Sequence, residues 1–388
     1  MKTKLVQEFR DRFHREPQQI FFCPGRVNLI GEHIDYNGGH VLPCAISMGT
    51  YLAVSKNTDK RLRFQCLNFQ EKAELHLQES YSKAGNQWFN YPLGVINELL
   101  QTGNPVSGLD MLFVGDLPIG AGLSSSASIE VLTAFALNDL FGLNISLKEI
   151  TLLCKKTENE FIGVNCGIMD QFAVAFGRKE NAILLNCDTL DYQYIPFETG
   201  EYILTIINTN KPRNLVESKY NERFTECGEA LKAIKKELPV QHLCAVGLHE
   251  FSAHRHLIND SMLEKRVLHV IAENFRVGEA VEALNAGELF TFGKLMFASH
   301  QSLKELYEVT GKELDTIVDF CKLFKGCIGA RMTGAGFGGC AIALVNKSSY
   351  DEFSDQLNIF YEQQIGYKPG VFKSQIGDGV RYFNQGMN

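Results

Sequence analysis

At 388 residues, with 45% apolar and 21% charged side chains, the chain has material for two or three buried cores rather than one. A net charge of −7 and the lack of a Lys/Arg-rich block argue against nucleic acid as a partner, although a local Arg or a metal can still hold an anionic substrate. No apolar run nears the ~20 residues needed to cross a bilayer. Met1–Arg10 carries no apolar signal core, and the 11 scattered cysteines include no C-x-x-C pair, so the expectation is a cytoplasmic protein without a membrane partner.

In chain order, the spacing of Leu5, Val6, Phe9 and Phe13 predicts a helix over 3–14, stopped by Pro17. A strand follows at 19–23, then a charged glycine-rich loop, then two or three strands between Val41 and Phe69. Trp88 to Leu100 reads as a helix and Leu109 to Val114 as a short strand that enters a second glycine loop. Helices are predicted over Ile129 to Leu140 and Ser146 to Phe161, and strands over Ala182 to Cys187, Tyr192 to Phe197 and Tyr202 to Asn208. Pro196, Thr199 and Gly200 place a domain boundary near 195–200. Beyond it come a polar helix over 213–237, mostly helical segments to Phe324, and a strand at Ala341 to Val345.

The loop Gly25–Gly39 gathers Arg26, Glu32, His33 and Asp35 among four glycines. Charges in such a turn between core strands either hold a ligand or pair with each other. Gly120, Ala121, Gly122, Leu123, Ser124, Ser125 and Ser126 form a glycine loop opening a helix. Its unsatisfied N–H groups and dipole suit a phosphate, the alternative being a plain Ser cap. No G-K-[S/T] occurs, so this is not a Walker loop.

Gly334–Gly339 satisfies G-x-G-x-x-G but leads into a strand, which removes the context of a dinucleotide fingerprint and leaves a turn, beside a ligand or purely structural. Asp170 opens a short helix, where a capping carboxylate is the plain expectation, and Glu158 and Glu160 read as solvated charges. In His249-Glu250-Phe251-Ser252-Ala253-His254 the extra residue turns the second His ~100° off the face that H-E-x-x-H zinc sites use. His242, His256 and His269 read as polar surface residues.

The stretches 25–39, 118–128 and 331–340 resemble the three signatures of the galactokinase, homoserine kinase, mevalonate kinase and phosphomevalonate kinase superfamily, in order and separation. The first resembles that of galactokinases, the sugar-1-kinase branch. The resemblance implies an α+β fold of two domains, a ribosomal-protein-S5-domain-2-like half (1–197) that binds sugar and ATP and a ferredoxin-like half (198–388), with the active site between them. It implies Glu32, His33, Ile34, Asp35, Gly167 and Tyr220 at galactose and Gly120 to Ser126 around the ATP phosphates. It further implies Ser126 and Glu158 on Mg²⁺, Asp170 as base toward the C1 hydroxyl, and Arg26 against the transferred phosphoryl group. Galactose and ATP are then the partners of a monomer. A kinase for N-acetylgalactosamine or another hexose, and a galactose-sensing regulator on a kinase scaffold, are the alternatives. One departure is Cys66 in Cys66-Leu67-Asn68-Phe69, where many bacterial relatives carry Ser beside the adenine.

Overall fold

The computed structural model describes residues 2–118, 120–211 and 216–383; the expected helix start at 213 and Ile119 of the second glycine loop lie outside them. Helix α1 (Lys2–Phe13) leads into β1 (Gln19–Asn28), β2 (His40–Val41), β3 (Pro43–Asn57), β4 (Arg61–Cys66) and β5 (Ala73–His76). Then come α2 (Asn90–Gln101), β6 (Gly108–Gly115), α3 (Ser125–Phe141), α4 (Leu147–Lys156) and α5 (Met169–Phe176), followed by β7 (Asn181–Asn186), β8 (Tyr192–Pro196) and β9 (Tyr202–Asn208). The remainder is α6 (Val216–Ile234), α7 (Leu248–His254), α8 (Ser261–Asn285), α9 (Leu289–Ser302), α10 (Gly311–Leu323), β10 (Cys327–Thr333), β11 (Cys340–Asn346), α11 (Tyr350–Ile365), β12 (Gly370–Ser374) and β13 (Arg381–Tyr382).

The first sheet runs in the order β13-β1-β3-β6-β4-β5. Its strands alternate so that Phe21, Cys23, Leu52, Val54, Met111 and Phe113 pack with α2 and α3, while Ile20, Ala53, Leu112 and Val114 face Leu5 and Phe9 of α1. Burying Leu5 and Phe9 is worth about 1.5–3 kcal/mol each, which is what docks this short helix. A second sheet, β10-β11-β9-β12, is antiparallel throughout, and β2-β7-β8 forms a third. The largest apolar cluster takes Leu29, Ile34 and Phe172 from the first half and Val277, Met296 and Met332 from the second, so the halves share one core.

Several expectations change in ways that matter for the site. The strand expected at 19–23 continues through Pro24 and Gly25 to Asn28, with a register shift between Pro24 and Arg26. A bulge tolerates Pro in a strand and re-aims the residue after it. Arg26 is therefore strand-borne rather than loop-borne. Its amide donates to the Leu123 carbonyl at 3.1 Å, and a Cβ on Gly25 would lie 2.6 Å from that same oxygen. Glycine there lets the second glycine loop lean on β1.

The helix expected over 146–161 opens with a capping box at Ser146 but passes from α4 into a π-helical turn, Thr157–Ile162. That turn buries Glu158 and leaves Glu160 exposed, so only one of the two carboxylates is a solvated charge. His269 is fully buried, not on the surface, with its ring between the Ser302 hydroxyl and the Glu32 carbonyl. Strands β10, β12 and β13 extend beyond the expected elements.

Candidate active site

The ends of these elements enclose a cavity of about 280 Å³. β1 contributes Arg26, the loop after it Glu32, His33 and Asp35, and the second glycine loop Gly120, Gly122 and the three serines. The π-helical turn adds Glu158, the approach to α5 adds Gly167 and its first turn Asp170, α6 adds Tyr220, and the β10–β11 turn adds Gly334 and Ala335. Ile34, Ala121 and Leu123 do not line it: their side chains sit in the apolar core and serve to anchor their loops.

At the centre, Arg26 and Asp170 pair bidentately, Nε to Oδ1 at 2.9 Å and Nη2 to Oδ2 at 2.8 Å. Such fork-to-fork pairs fix orientation as well as charge. Arg26 Nη1 also donates to the Gly122 carbonyl at 2.7 Å, and the Ser124 hydroxyl donates to Asp170 Oδ2 at 2.5 Å. Asp170 thus faces the site rather than capping α5. Ser124 holds this place with a left-handed φ of +59°, a conformation that costs a non-glycine residue energy and clusters at functional sites.

On one side of the cavity, the α3 N-terminus opens at Ser125. The Ser126 hydroxyl donates to Glu158 Oε1 at 3.1 Å, and Gln171 Nε2 donates to Glu158 Oε2 at 2.6 Å. Burial, with the nearby Asp170 charge, pushes the Glu158 carboxyl up to about 7. Among the described residues no group of three or more His, Cys, Asp or Glu side chains is arranged to hold a metal. A hydroxyl plus one buried carboxylate is nevertheless the hard-oxygen donor set of a magnesium ion shared with substrate phosphates.

On the opposite side Glu32 is held from three directions. Its Oε2 accepts from Arg331 Nη1 at 2.7 Å and Asn28 Nδ2 at 3.0 Å, and its Oε1 accepts from the Gly334 amide at 2.5 Å. Burial raises its pKa while the Arg331 charge pulls the other way. The buried Glu273 carboxylate accepts the Gly31 amide at 3.0 Å and so clamps the loop from α8. Arg331, Glu273 and Asn28 were not anticipated. Arg331 opens the third glycine stretch, and Glu273 lies one helical turn after His269 on the buried face of α8, which also carries Arg266.

Asp35 faces Gly167 so closely that a Cβ there would stand 1.9 Å from Asp35 Oδ2. Gly167→Ala is expected to displace that carboxylate and raise the KM of whatever substrate fills this side of the cavity at least about tenfold with kcat changed little, measured by steady-state kinetics; an unchanged KM contradicts a ligand-facing role for this pair.

Burial, then the charges of Asp170 and Glu32, push the Asp35 carboxyl up to about 7. An unfolded Asp titrates near ~3.9, so as pH rises from about 4 to 7 the unfolded chain releases a proton that the folded chain retains. Stability is therefore full below the unfolded pKa and is lost as pH rises through the folded one. Because the buried His33 and His269, held near 3 and 4, change stability in the opposite sense below about pH 6.5, the test is a difference: the urea midpoint of ligand-free Asp35→Asn is expected to gain on that of wild type as pH rises from 5 to 8. A difference between the two midpoints that does not change with pH contradicts the assignment.

Comparison with known proteins gives three family matches: the galactokinase galactose-binding signature over residues 7–56, the GHMP kinases N-terminal domain over 90–178 and the GHMP kinases C-terminal region over 280–363. The chain is 50% identical over 379 residues to a galactokinase of Clostridium tetani, covering 97% of each. Among solved structures, Lactococcus lactis galactokinase complexed with galactose matches with a TM-score of 0.96 and 45% identity, covering 98% of this chain and 100% of that one. Methanococcus jannaschii mevalonate kinase matches with a TM-score of 0.67 and 22% identity over 92% of this chain and 98% of that one, a likeness of fold.

Proposed function

Because this chain belongs to the galactokinase family, an assignment that makes it an enzyme phosphorylating galactose with ATP, we propose that Asp170 and Arg26 carry the transfer to the C1 hydroxyl. The observation that supports these roles is the Arg26 guanidinium, which grips Asp170 with one edge and reaches the second glycine loop at Gly122 with the other. One side chain thereby spans the sugar side and the phosphate side.

Galactose lies against Asp35, Glu32, His33, Gly167 and Tyr220. The Gly120–Ser126 backbone and the α3 N-terminus hold the ATP phosphates, where N–H groups and the helix dipole favour an anion. The C1 oxygen attacks the γ-phosphorus as its proton passes to Asp170, the bond to the β-phosphate oxygen breaks, and ADP leaves with the electron pair. Arg26 stabilises the charge spread over the transferring group. Ser126 and Glu158 fit Mg²⁺, and when bound it neutralises phosphate charge. The Ser124 hydroxyl orients Asp170.

Asn68 pins the end of β6 through both the amide and the carbonyl of Gly115, and Phe69, 38% exposed, stacks on Trp88; these are the groups we place beside the adenine, with Cys66 packed behind them. The chain division is placed at 197/198, between β8 and β9, with β13 returning to pair with β1. A monomer is the assembly we propose, and 11 free cysteines support a cytoplasmic setting. No helix among the described residues is long and apolar enough to cross a membrane.

A panel of sugars assayed with purified protein, ATP and Mg²⁺ tests the substrate. Galactose is expected to give the highest kcat/KM; a preference for N-acetylgalactosamine or another hexose overturns the choice.

A further inference from the structure

We propose that Tyr36, Tyr307 and Cys227 are positioning residues that hold His33 as a neutral imidazole protonated at Nε2, so that His33 offers the sugar a hydrogen-bond donor and never an acceptor or a cation. This rests on the placement of galactose beside His33 given above.

The direction of each bond follows from one fixed point. His33 Nε2 lies 3.2 Å from the carbonyl of Ala335, which can only accept, so Nε2 carries a proton. His33 Nδ1 lies 2.9 Å from the Tyr36 hydroxyl, which in turn lies 2.8 Å from the Tyr307 hydroxyl, itself 3.1 Å from Cys227 Sγ. With Nδ1 bare, Tyr36 spends its only O–H on His33. Tyr307 must then donate to Tyr36, and the Cys227 thiol to Tyr307. Every donor in the chain is assigned, and reversing any one leaves two acceptors or two donors facing each other.

The surroundings oppose the cation. His33 is 3% exposed, and burial, then His269, Arg223 and Arg331, bring its pKa down to about 3. Tyr220 and Tyr307 flank the ring with centroids at 5.6 and 4.9 Å, and His33 is held at a left-handed φ of +63°. Burial raises the pKa of Tyr36 and of Tyr307, so both hydroxyls keep their protons. Because Ala335 and His33 both line the cavity, a ligand oxygen that shares or replaces the Ala335 carbonyl meets an N–H. The chain also ties the sugar loop to α6, to the π-helical turn Leu303–Tyr307 and to the β10–β11 turn.

The test is long-range ¹H–¹⁵N NMR of ¹⁵N-histidine-labelled full-length protein, with galactose kinetics of Tyr36→Phe, Tyr307→Phe, His33→Gln and His33→Asn. The expected wild-type signal for His33 is the Nε2–H tautomer, unchanged between pH 6 and 8.5. Tyr36→Phe, or Tyr307→Phe should the first fail to fold, is expected to move the His33 Nδ1 signal as its donor is lost or loosened, with the proton still held on Nε2 by the Ala335 carbonyl, and to raise the galactose KM about tenfold, the scale of one unmade buried hydrogen bond. His33→Gln, which returns an N–H near the ε position, is expected to bind galactose better than His33→Asn, which cannot.

A proton on Nδ1, a His33 titration within that pH range, or an Nδ1 signal and a KM both unmoved in the Tyr variants overturns the inference while leaving the kinase activity standing. A wild-type protein with the expected NMR signal but no phosphorylation of galactose instead overturns the functional assignment.

Discussion

Asp170→Asn is expected to lower kcat by about 10²–10⁴-fold, the usual worth of a positioned base, with KM for galactose changed little. The substitution keeps the shape of the side chain and one acceptor oxygen for Arg26, so the bidentate pair of 2.9 and 2.8 Å is half retained and the fold with it. What is lost is the capacity to take the C1 proton. A purified Asp170→Asn protein with an unchanged melting temperature that keeps more than about a tenth of the wild-type rate removes Asp170 from the role of base.

Arg26→Ala is expected to cost more, about 10³–10⁵-fold in kcat, the range seen for a transition-state arginine. The side chain is 5% exposed and serves Asp170 and the Gly122 carbonyl together, so its removal frees both sides of the transfer from their common brace. Two further outcomes separate bracing from charge alone. Arg26→Lys, which keeps the charge but not the planar fork, is expected to fall between wild type and Arg26→Ala. The double variant Arg26→Ala/Asp170→Asn is expected to be slower than the worse single variant by less than about tenfold, because the two groups act as a unit. Independent, multiplying losses in stopped-time kinetics contradict the pairing.

How far the sequence carried is visible in individual residues. The charged loop, the serine loop and the third glycine turn are each contiguous, and glycines with hydroxyls before a helix announce a phosphate site by local chemistry alone. They meet in one cavity. Asp170 is harder: a carboxylate in the first turn of a short helix is ordinarily a cap, and its partners Arg26 and Ser124 lie 144 and 46 residues away in sequence. Glu158 looked solvated because a regular helix would have carried the 157–162 stretch onward, whereas the π-helical turn rotates that carboxylate inward.

The second half was least legible. Besides Tyr220, Gly334 and Ala335 in the cavity lining, it gives support from a distance: Arg331 grips Glu32, Glu273 clamps the Gly31 amide, and His269 donates to the Glu32 carbonyl, all across more than 200 residues of sequence. No periodicity or spacing encodes such pairings, and a buried His on α8 follows the same helical stripe as a core apolar residue. Strand β13 was missed for a related reason, since two residues, Arg381 and Tyr382, are too short to show a pattern before they pair with β1.

The central claim is that this cavity transfers the γ-phosphoryl group of ATP to galactose. It is tested most directly by following ADP release in the presence of galactose and Mg²⁺ while recording the phosphorus NMR spectrum of the product. The expected result is galactose-dependent ADP release, with one sugar phosphate formed per ADP and the phosphate on C1. Galactose that binds without releasing ADP, or a product phosphorylated at another hydroxyl, contradicts it.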